Sequence, residues 1–356
     1  MRGLLEYLSP FAPDQSGASA VFYGLGGMTI ICDAGGCTGN ICGFDEPRWF
    51  MEKDRLFSAG LRDMDAILGR DRLLVEKIGK ASSHLGASFV ALIGTPVPAV
   101  IGTDLHALAR LTEKTCGIPA VYAECTGTEL YDAGEEAAYE ALFKAFSADE
   151  GVKPRRGVVG VLGATPLDHS YADGREIARQ ELAKEGYEEI RLYGGGATLE
   201  DYWRAGEAEK NFVASPAGLR AAKYLEKRFG TPYEIRFPFL SEAVKERLLG
   251  VEHLSEKHIL IAAQQVEGIE IRKLLAANGV PEENMTVGTW FREIRSLKAS
   301  QDLHFDQEEA WVRAAEDQGF DLIIGDASLE RPLKSYCGDY LAIPHFAVFG
   351  GLRDAL

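Results

Sequence analysis

Short unbroken apolar runs alternate along the chain with longer stretches in which apolar positions recur every three or four residues. The first pattern suits a strand buried on both faces, the second an amphipathic helix. "SFVALIGTP" (88–96) reads as a strand and "TDLHALARLTEKTCG" (103–117) as a helix, with Thr103 as N-cap and Gly117 as stop. "IPAVYAEC" (118–125) is the next strand and "GEEAAYEALFKAF" (134–146) the next helix. The polar stretch 147–157 marks a boundary. A second cycle comes after it, with strand 158–166, helix 173–186, strand 189–196 and helix 215–230, Pro216 taking the first helical position. "TPYEIRFPF" then leads to a helix near 241–249. The third cycle runs through strand 257–264, helix 267–278, strand 284–291, helix 307–318, strand 321–326 and a terminal "YLAIPHFAVFGG". This alternation predicts an α/β fold of three Rossmann-like βαβ units with mostly parallel sheets, over 1–150, 151–254 and 255–356. Ligands of such sheets bind beyond the carboxyl ends of the strands. In the first unit those ends carry a cysteine-rich loop, the Gly94–Pro96 turn and the Cys125 turn, which are expected to converge on one edge.

Composition narrows the function classes. The formal net charge of −16 argues against a nucleic-acid binder and against anionic membrane surfaces. No stretch approaches the ~20 apolar residues of a membrane helix, and the opening "MRGLLEYLSPFAPDQ" is too short and broken for a signal peptide, so a cytoplasmic protein is expected.

Six cysteines in 356 residues do not make a disulfide framework, yet half of them fall in "TIICDAGGCTGNICGF" (29–44). Cys32, Cys37 and Cys42 stand among glycines that free the backbone to wrap an inorganic core. Soft thiolates select zinc or iron–sulfur clusters, and no second Cys or His pair nearby favours zinc. The spacing is neither a usual ferredoxin pattern nor a zinc-finger one, so a metal centre and a glycine turn with incidental thiols both stand as readings. Three thiolates are one short of four. An aspartate such as Asp14 or Asp33 completes the set within one chain, or a two-fold dimer supplies two thiolates from each copy and leaves one spare. Cys116 and Cys125 read as core residues. His345 reads equally as core residue or ligand, and "DEPRWFMEKDR" (45–55) as a solvated helix face. No Walker A loop, G-x-G-x-x-G fingerprint or G-x-S-x-G elbow is present, so the chain shows no site of its own for splitting ATP.

The order of segments resembles the nitrogenase component 1 family, which includes the nitrogenase α and β subunits, their cofactor-assembly relatives and nitrogenase-like tetrapyrrole reductases. "DQSGAS" (14–19) and "TIICDAGGCTG" (29–39) are similar to the family's "Q-P-x-G-A" and "H-G-x-x-G-C" passage, which places Cys37 on the family's cluster cysteine. Residues 57–78, 93–110 and "VYAECTGTE" resemble its later segments. The family's upstream cluster cysteine is replaced near Pro13 and Asp14, and its third is Thr95 here. Ser215 and Phe346 lie roughly where the family's cofactor cysteine and histidine stand. The resemblance therefore implies an iron–sulfur cluster, [4Fe–4S] in type, near a dimer interface, and no iron–molybdenum cofactor. Cys37 is the ligand it supports; Cys32 and Cys42 join from local density, and Asp14 as an aspartate able to complete the set. The function implied is a nitrogenase-like oxidoreductase component, as a homodimer or paralogous heterodimer. It would take electrons from a separate ATP-dependent iron–sulfur reductase and pass them to a small-molecule substrate. The rivals are a cofactor-assembly scaffold or carrier without turnover, and a metal-free α/β binding protein.

Overall fold

The computed structural model describes residues 5–69, 71–148, 152–169 and 171–351. The first unit runs α1 (Asp14–Phe22), β1 (Met28–Ile31), α2 (Gly36–Asn40), β2 (Leu56–Ser58), α3 (Asp63–Leu68), α4 (Asp71–Leu85), β3 (Val90–Ile93), α5 (Pro96–Ile101), α6 (Leu105–Cys116), β4 (Ala120–Ala123) and α7 (Tyr131–Phe146). Its strands lie in the order β2-β1-β3-β4, every pair parallel. Strand alternation divides its core. Ile31, Ala91 and Ile93 face Val21 and Phe22 of α1 and Leu142 and Phe143 of α7, whereas Ile30, Val90 and Leu92 face Val75 of α4 and Leu108 of α6. Each such side chain contributes ~1.5–3 kcal/mol relative to exposure.

The second unit runs β5 (Arg155–Leu162), α8 (Pro166–His169), α9 (Gly174–Ala183), β6 (Glu189–Leu192), α10 (Leu199–Trp203), β7 (Ala208–Val213), α11 (Leu219–Phe229), β8 (Tyr233–Ile235) and α12 (Glu242–Leu249), with strands ordered β6-β5-β7-β8. The third runs β9 (Ile259–Ala262), α13 (Gln265–Ala277), β10 (Met285–Thr289), β11 (Leu303–His304), α14 (Glu308–Asp317), β12 (Leu322–Gly325), β13 (Asp339–Ala342) and α15 (Phe346–Phe349), ordered β11-β10-β9-β12-β13. Both sheets are parallel among the described residues. The chain before α1 packs on the third unit: the N–H groups of residues 6–8 donate to the Glu308 carboxylate, and Ala12 N–H to the Ala347 carbonyl.

Some local readings change. Helix α6 is capped by Asp104, whose carboxylate accepts the Ala107 N–H at 2.8 Å, and not by Thr103. Helix α7 begins three residues early, at Tyr131. Pro216 opens a short 3₁₀ turn, Pro216–Gly218, ahead of α11. Residues 45–55 form no solvated helix face. They hold a 3₁₀ turn, Pro47–Phe50, and Glu46 is buried against the Arg48 guanidinium. No helix of the described residues is long and apolar enough to cross a membrane.

Candidate functional site

The apolar run of β1 ends in a turn that must reverse quickly, and Gly35 supplies it at φ +119°, a conformation side-chain-bearing residues avoid. Asp33 sets the direction of the next helix. Its buried carboxylate accepts the Thr38 N–H at 2.8 Å and the Thr38 and Ser58 hydroxyls, so α2 starts in one orientation with Cys37 in its first turn. Helix α2 passes directly into a π-helical turn, Ile41–Asp45, which carries Cys42. Asp45 accepts the Ser16 hydroxyl and the Asn40 amide, both at 2.6 Å, tying that turn to α1. Arg48 completes the strap: it grips Glu46 with two parallel bonds and donates onward to the carbonyls of Ala20 and Gly194. The cysteine loop is thereby fastened to both the first and the second unit.

The strand ends converge. The Thr95 hydroxyl, after β3, donates to the Cys32 carbonyl at 2.8 Å. Asp14, at the start of α1, accepts from the backbone N–H groups of Gln15, Thr126 and Gly127, each at 2.8 Å. Gly94 lies so close to the Cys125 backbone that a Cβ there would meet its carbonyl oxygen at 2.6 Å. The half-buried Cys37 thiol lies near Thr95, whose one hydroxyl hydrogen is committed to the Cys32 carbonyl. Burial, then Asp33 and Asp14, raise its pKa. Burial and then Glu46 likewise raise the Cys42 pKa. Burial also outweighs the three N–H bonds that favour ionised Asp14.

The three loop cysteines do not share one face. Cys37 and Cys42 pack against the core beneath α1 and α7. Cys32 continues the other side of β1, buried with Ile30, Val75 and Leu108, and burial there pushes its thiol up to about 12. Asp14 comes near Cys37 while its oxygens are occupied by backbone donors. Cys125 is buried, Cys116 packs on the α4/α6 side, and Cys337 is exposed. Among the described residues, no three His, Cys, Asp or Glu side chains gather as a metal-holding group within one chain. Phe44, Phe50 and Met51 in the loop and the turn after it, and Val97 and Val100 on α5 after Thr95, are exposed, Val100 to 85%.

A second polar centre escaped the reading of the sequence. Tyr131, Glu135, Asp168, Glu267 and His345 are buried together where the three units meet. The signal was present in α7, where Tyr131, Glu135, Tyr139, Leu142 and Phe146 share one helical stripe and Glu135 is the charged member.

A family model for nitrogenase component 1 type oxidoreductases matches residues 14–277. The chain is 25% identical over 233 residues to the nitrogenase iron-molybdenum cofactor biosynthesis protein NifE of Clostridium pasteurianum, which covers 65% of this chain and 47% of that protein. It is 24% identical over 181 residues to the nitrogenase molybdenum-iron protein alpha chain of the same organism, covering 50% of this chain and 33% of that one. The chain thus spans less than half the length of these two curated relatives. The solved structure of nitrogenase Cp1 at pH 6.5 superimposes with a TM-score of 0.71 at 14% identity, over 99% of this chain and 88% of that chain, a likeness of fold.

Proposed function

The chain belongs to the nitrogenase component 1 type oxidoreductase family, and from that premise we propose that it is a nitrogenase-like reductase component. In this reading it holds an iron–sulfur cluster against a second subunit, takes electrons from an ATP-dependent iron–sulfur reductase, and reduces a small molecule. The observation that carries it is the meeting of Cys37, Thr95 and Asp14 at the carboxyl ends of the first sheet, under exposed apolar residues that a second subunit would cover. Cys37 and Cys42 would hold the cluster, two thiolates from each of two copies or paralogues, with Cys32 the spare thiol on the far side of the sheet. A bound [4Fe–4S] cluster supplies one-electron transfer. The chain's own residues do the rest: Asp33 fixes the entry to α2, Thr95 ties the end of β3 to the Cys32 carbonyl, and the exposed apolar side chains exclude water once covered.

An iron–molybdenum cofactor does not fit this chain. Ser215 is fully buried with an unpartnered hydroxyl, Phe346 lies in the core of the third unit, and carboxylates crowd the junction nearby. Those groups offer no thiolate and disfavour a sulfide-rich anion. The match to NifE favours a second reading, a scaffold or carrier that holds a cluster without turnover. The test is anaerobic purification with iron and sulfide analysis and electron paramagnetic resonance. We expect iron in the wild type and its loss in Cys37→Ser, with Cys32→Ala unchanged. Iron-free wild type, or an unaltered Cys37→Ser spectrum, would overturn the cluster assignment. Steady substrate reduction with a partner reductase selects the first reading, and transfer of the cluster to an apo-acceptor the second.

A further inference from the structure

The turns at the carboxyl ends of the second and third sheets meet helix α7 of the first unit. Thr165 and Asp168 come after β5, Glu267 lies in the first turn of α13 after β9, and His345 comes after β13. Glu135 and Asp168 are 0% exposed and Glu267 is 1% exposed. Such a crevice, at the carboxyl ends of parallel strands, is where α/β folds take ligands. Here it is shut by side chains from all three units.

The contacts form one chain. Glu135 Oε1 is 2.5 Å from Thr165 Oγ1, which is 3.1 Å from Asp168 Oδ2. Asp168 Oδ1 is 3.4 Å from the Tyr131 hydroxyl, which is 3.3 Å from His345 Nε2. The Tyr131 hydroxyl donates to Asp168, which also accepts the Thr165 N–H. Thr165 has one hydroxyl hydrogen for its two contacts, with Glu135 and with Asp168, so that run is complete only when the two carboxyls share a proton. With the proton gone, two buried carboxylates compete for one hydrogen. Glu135 Oε2 and Glu267 Oε1 have no partner at all, so a negative charge on either is uncompensated.

Among the described residues, the side chains facing this cluster supply no cation paired with Glu135, Asp168 or Glu267. On α7, Asp132 accepts the backbone N–H of Arg292, whose guanidinium is turned outward to Glu136. The Tyr139 hydroxyl is spent on the Tyr193 carbonyl. From the second unit His169 stacks on Phe239, and burial holds it neutral, its pKa lowered to about 3; the nearby Arg48 adds to that effect. From the third unit, Asp326 adds another carboxylate that receives the His345 N–H.

We propose that this junction is a proton-operated latch: a proton shared by Glu135 and Asp168 holds the three units closed over the crevice, and its release opens it. The latch is independent of the cluster reading and applies equally to a carrier. Opening returns the carboxyls to water, where they ionise near pH 4. A carboxyl that keeps its proton throughout in the closed state multiplies the open population by about a hundredfold between pH 6 and pH 8. Burial pushes the Glu135 and Glu267 carboxyls well up and that of Asp168 to about 6, so at neutral pH the shared proton rests on Glu135 and Asp168 adds little to the effect. His169 and His345 are neutral in the closed state; where opening frees one of them it gains charge below about 6.5, which offsets the carboxylate effect by only about fourfold at pH 6.

The experiment is amide hydrogen exchange on the full chain at pH 6 and pH 8, read peptide by peptide and corrected for the chemical exchange rate. In the wild type, residues 163–169, 263–268 and 343–347 should lose protection by tenfold or more at pH 8, while 90–93 and 259–262 keep theirs. Glu135→Gln, which carries its hydrogens at every pH, should remove most of that loss, and Glu267→Gln should reduce it by a smaller amount. A pH-independent junction in the wild type would overturn the proposal. So would a Glu135→Gln or, if that variant does not fold, a Glu267→Gln junction that opens as the wild type does.

Discussion

Replacing Asp14 separates a structural carboxylate from a cluster ligand. Its two oxygens receive three backbone N–H bonds at 2.8 Å that hold the 126–127 turn against the start of α1. Asp14→Ala leaves all three donors without their acceptor. Gln15 is buried, so its N–H carries the full penalty of an unmet buried donor, ~1–3 kcal/mol. Thr126 is exposed and Gly127 half-buried, so those donors recover part of their loss from water. The total comes to ~2–3 kcal/mol. Asp14→Asn behaves differently. It loses one of three bonds but also sheds the cost of burying a charge, which is the dominant influence on this carboxyl, so it should lie within ~1 kcal/mol of the wild type. Urea unfolding monitored by fluorescence reads the effect, because Trp49 packs against the first core beside the cysteine loop. An Asp14→Ala midpoint unchanged from the wild type, or an asparagine variant less stable than the alanine one, would refute the reasoning. Iron content of the folded asparagine variant then decides the second role: retained iron means a cap alone, lost iron a ligand.

Gly134→Ala should destabilise by ~1–3 kcal/mol or more, measured by thermal melting, because a Cβ there would sit 1.7 Å from the Asp14 carbonyl oxygen and force α1 off α7. Arg48→Met leaves the buried Glu46 carboxylate unpaired, so a loss of ~3 kcal/mol and faster proteolysis across 41–52 are expected; adding Glu46→Gln should restore much of it, and no recovery would count against the strap. Cys32→Ala should cost little stability and no iron, the reverse of Cys37→Ser on iron. His169 is held neutral when folded but binds a proton when unfolded below about 6.5, so its share of stability is present above that pH and lost as pH falls toward 3. His169→Phe should therefore flatten the acid side of the stability profile by one proton between pH 4 and pH 6; an unchanged slope would exclude the assignment.

The three-unit α/β architecture was legible because strands buried on both faces leave unbroken apolar runs, as in Val90–Ile93 and Ile259–Ala262. Strand β7 was not legible, since Glu209, Lys210 and Asn211 break its run; Lys210 meets Glu234 on the next strand, and Asn211 is buried all the same. The cysteine loop announced itself by residue type. Spacing alone could not tell that Cys32 points away, because the pleat of β1 sends adjacent residues to opposite faces. The junction carboxylates of the second and third units come from segments roughly a hundred residues apart, so only their tertiary meeting gives them meaning.

The attachment of the N-terminal segment to Glu308 and Ala347 also bears on biosynthesis. Residues 6–8 leave the ribosome about three hundred residues ahead of their docking partner Glu308. Domains usually form in order of emergence, but Leu8 and Ala12 must wait, uncovered, until α14 and α15 have been made. A chain released early would carry that apolar ribbon with nowhere to lodge, which makes the N-terminal segment the natural handle for quality-control machinery to recognise an unfinished product.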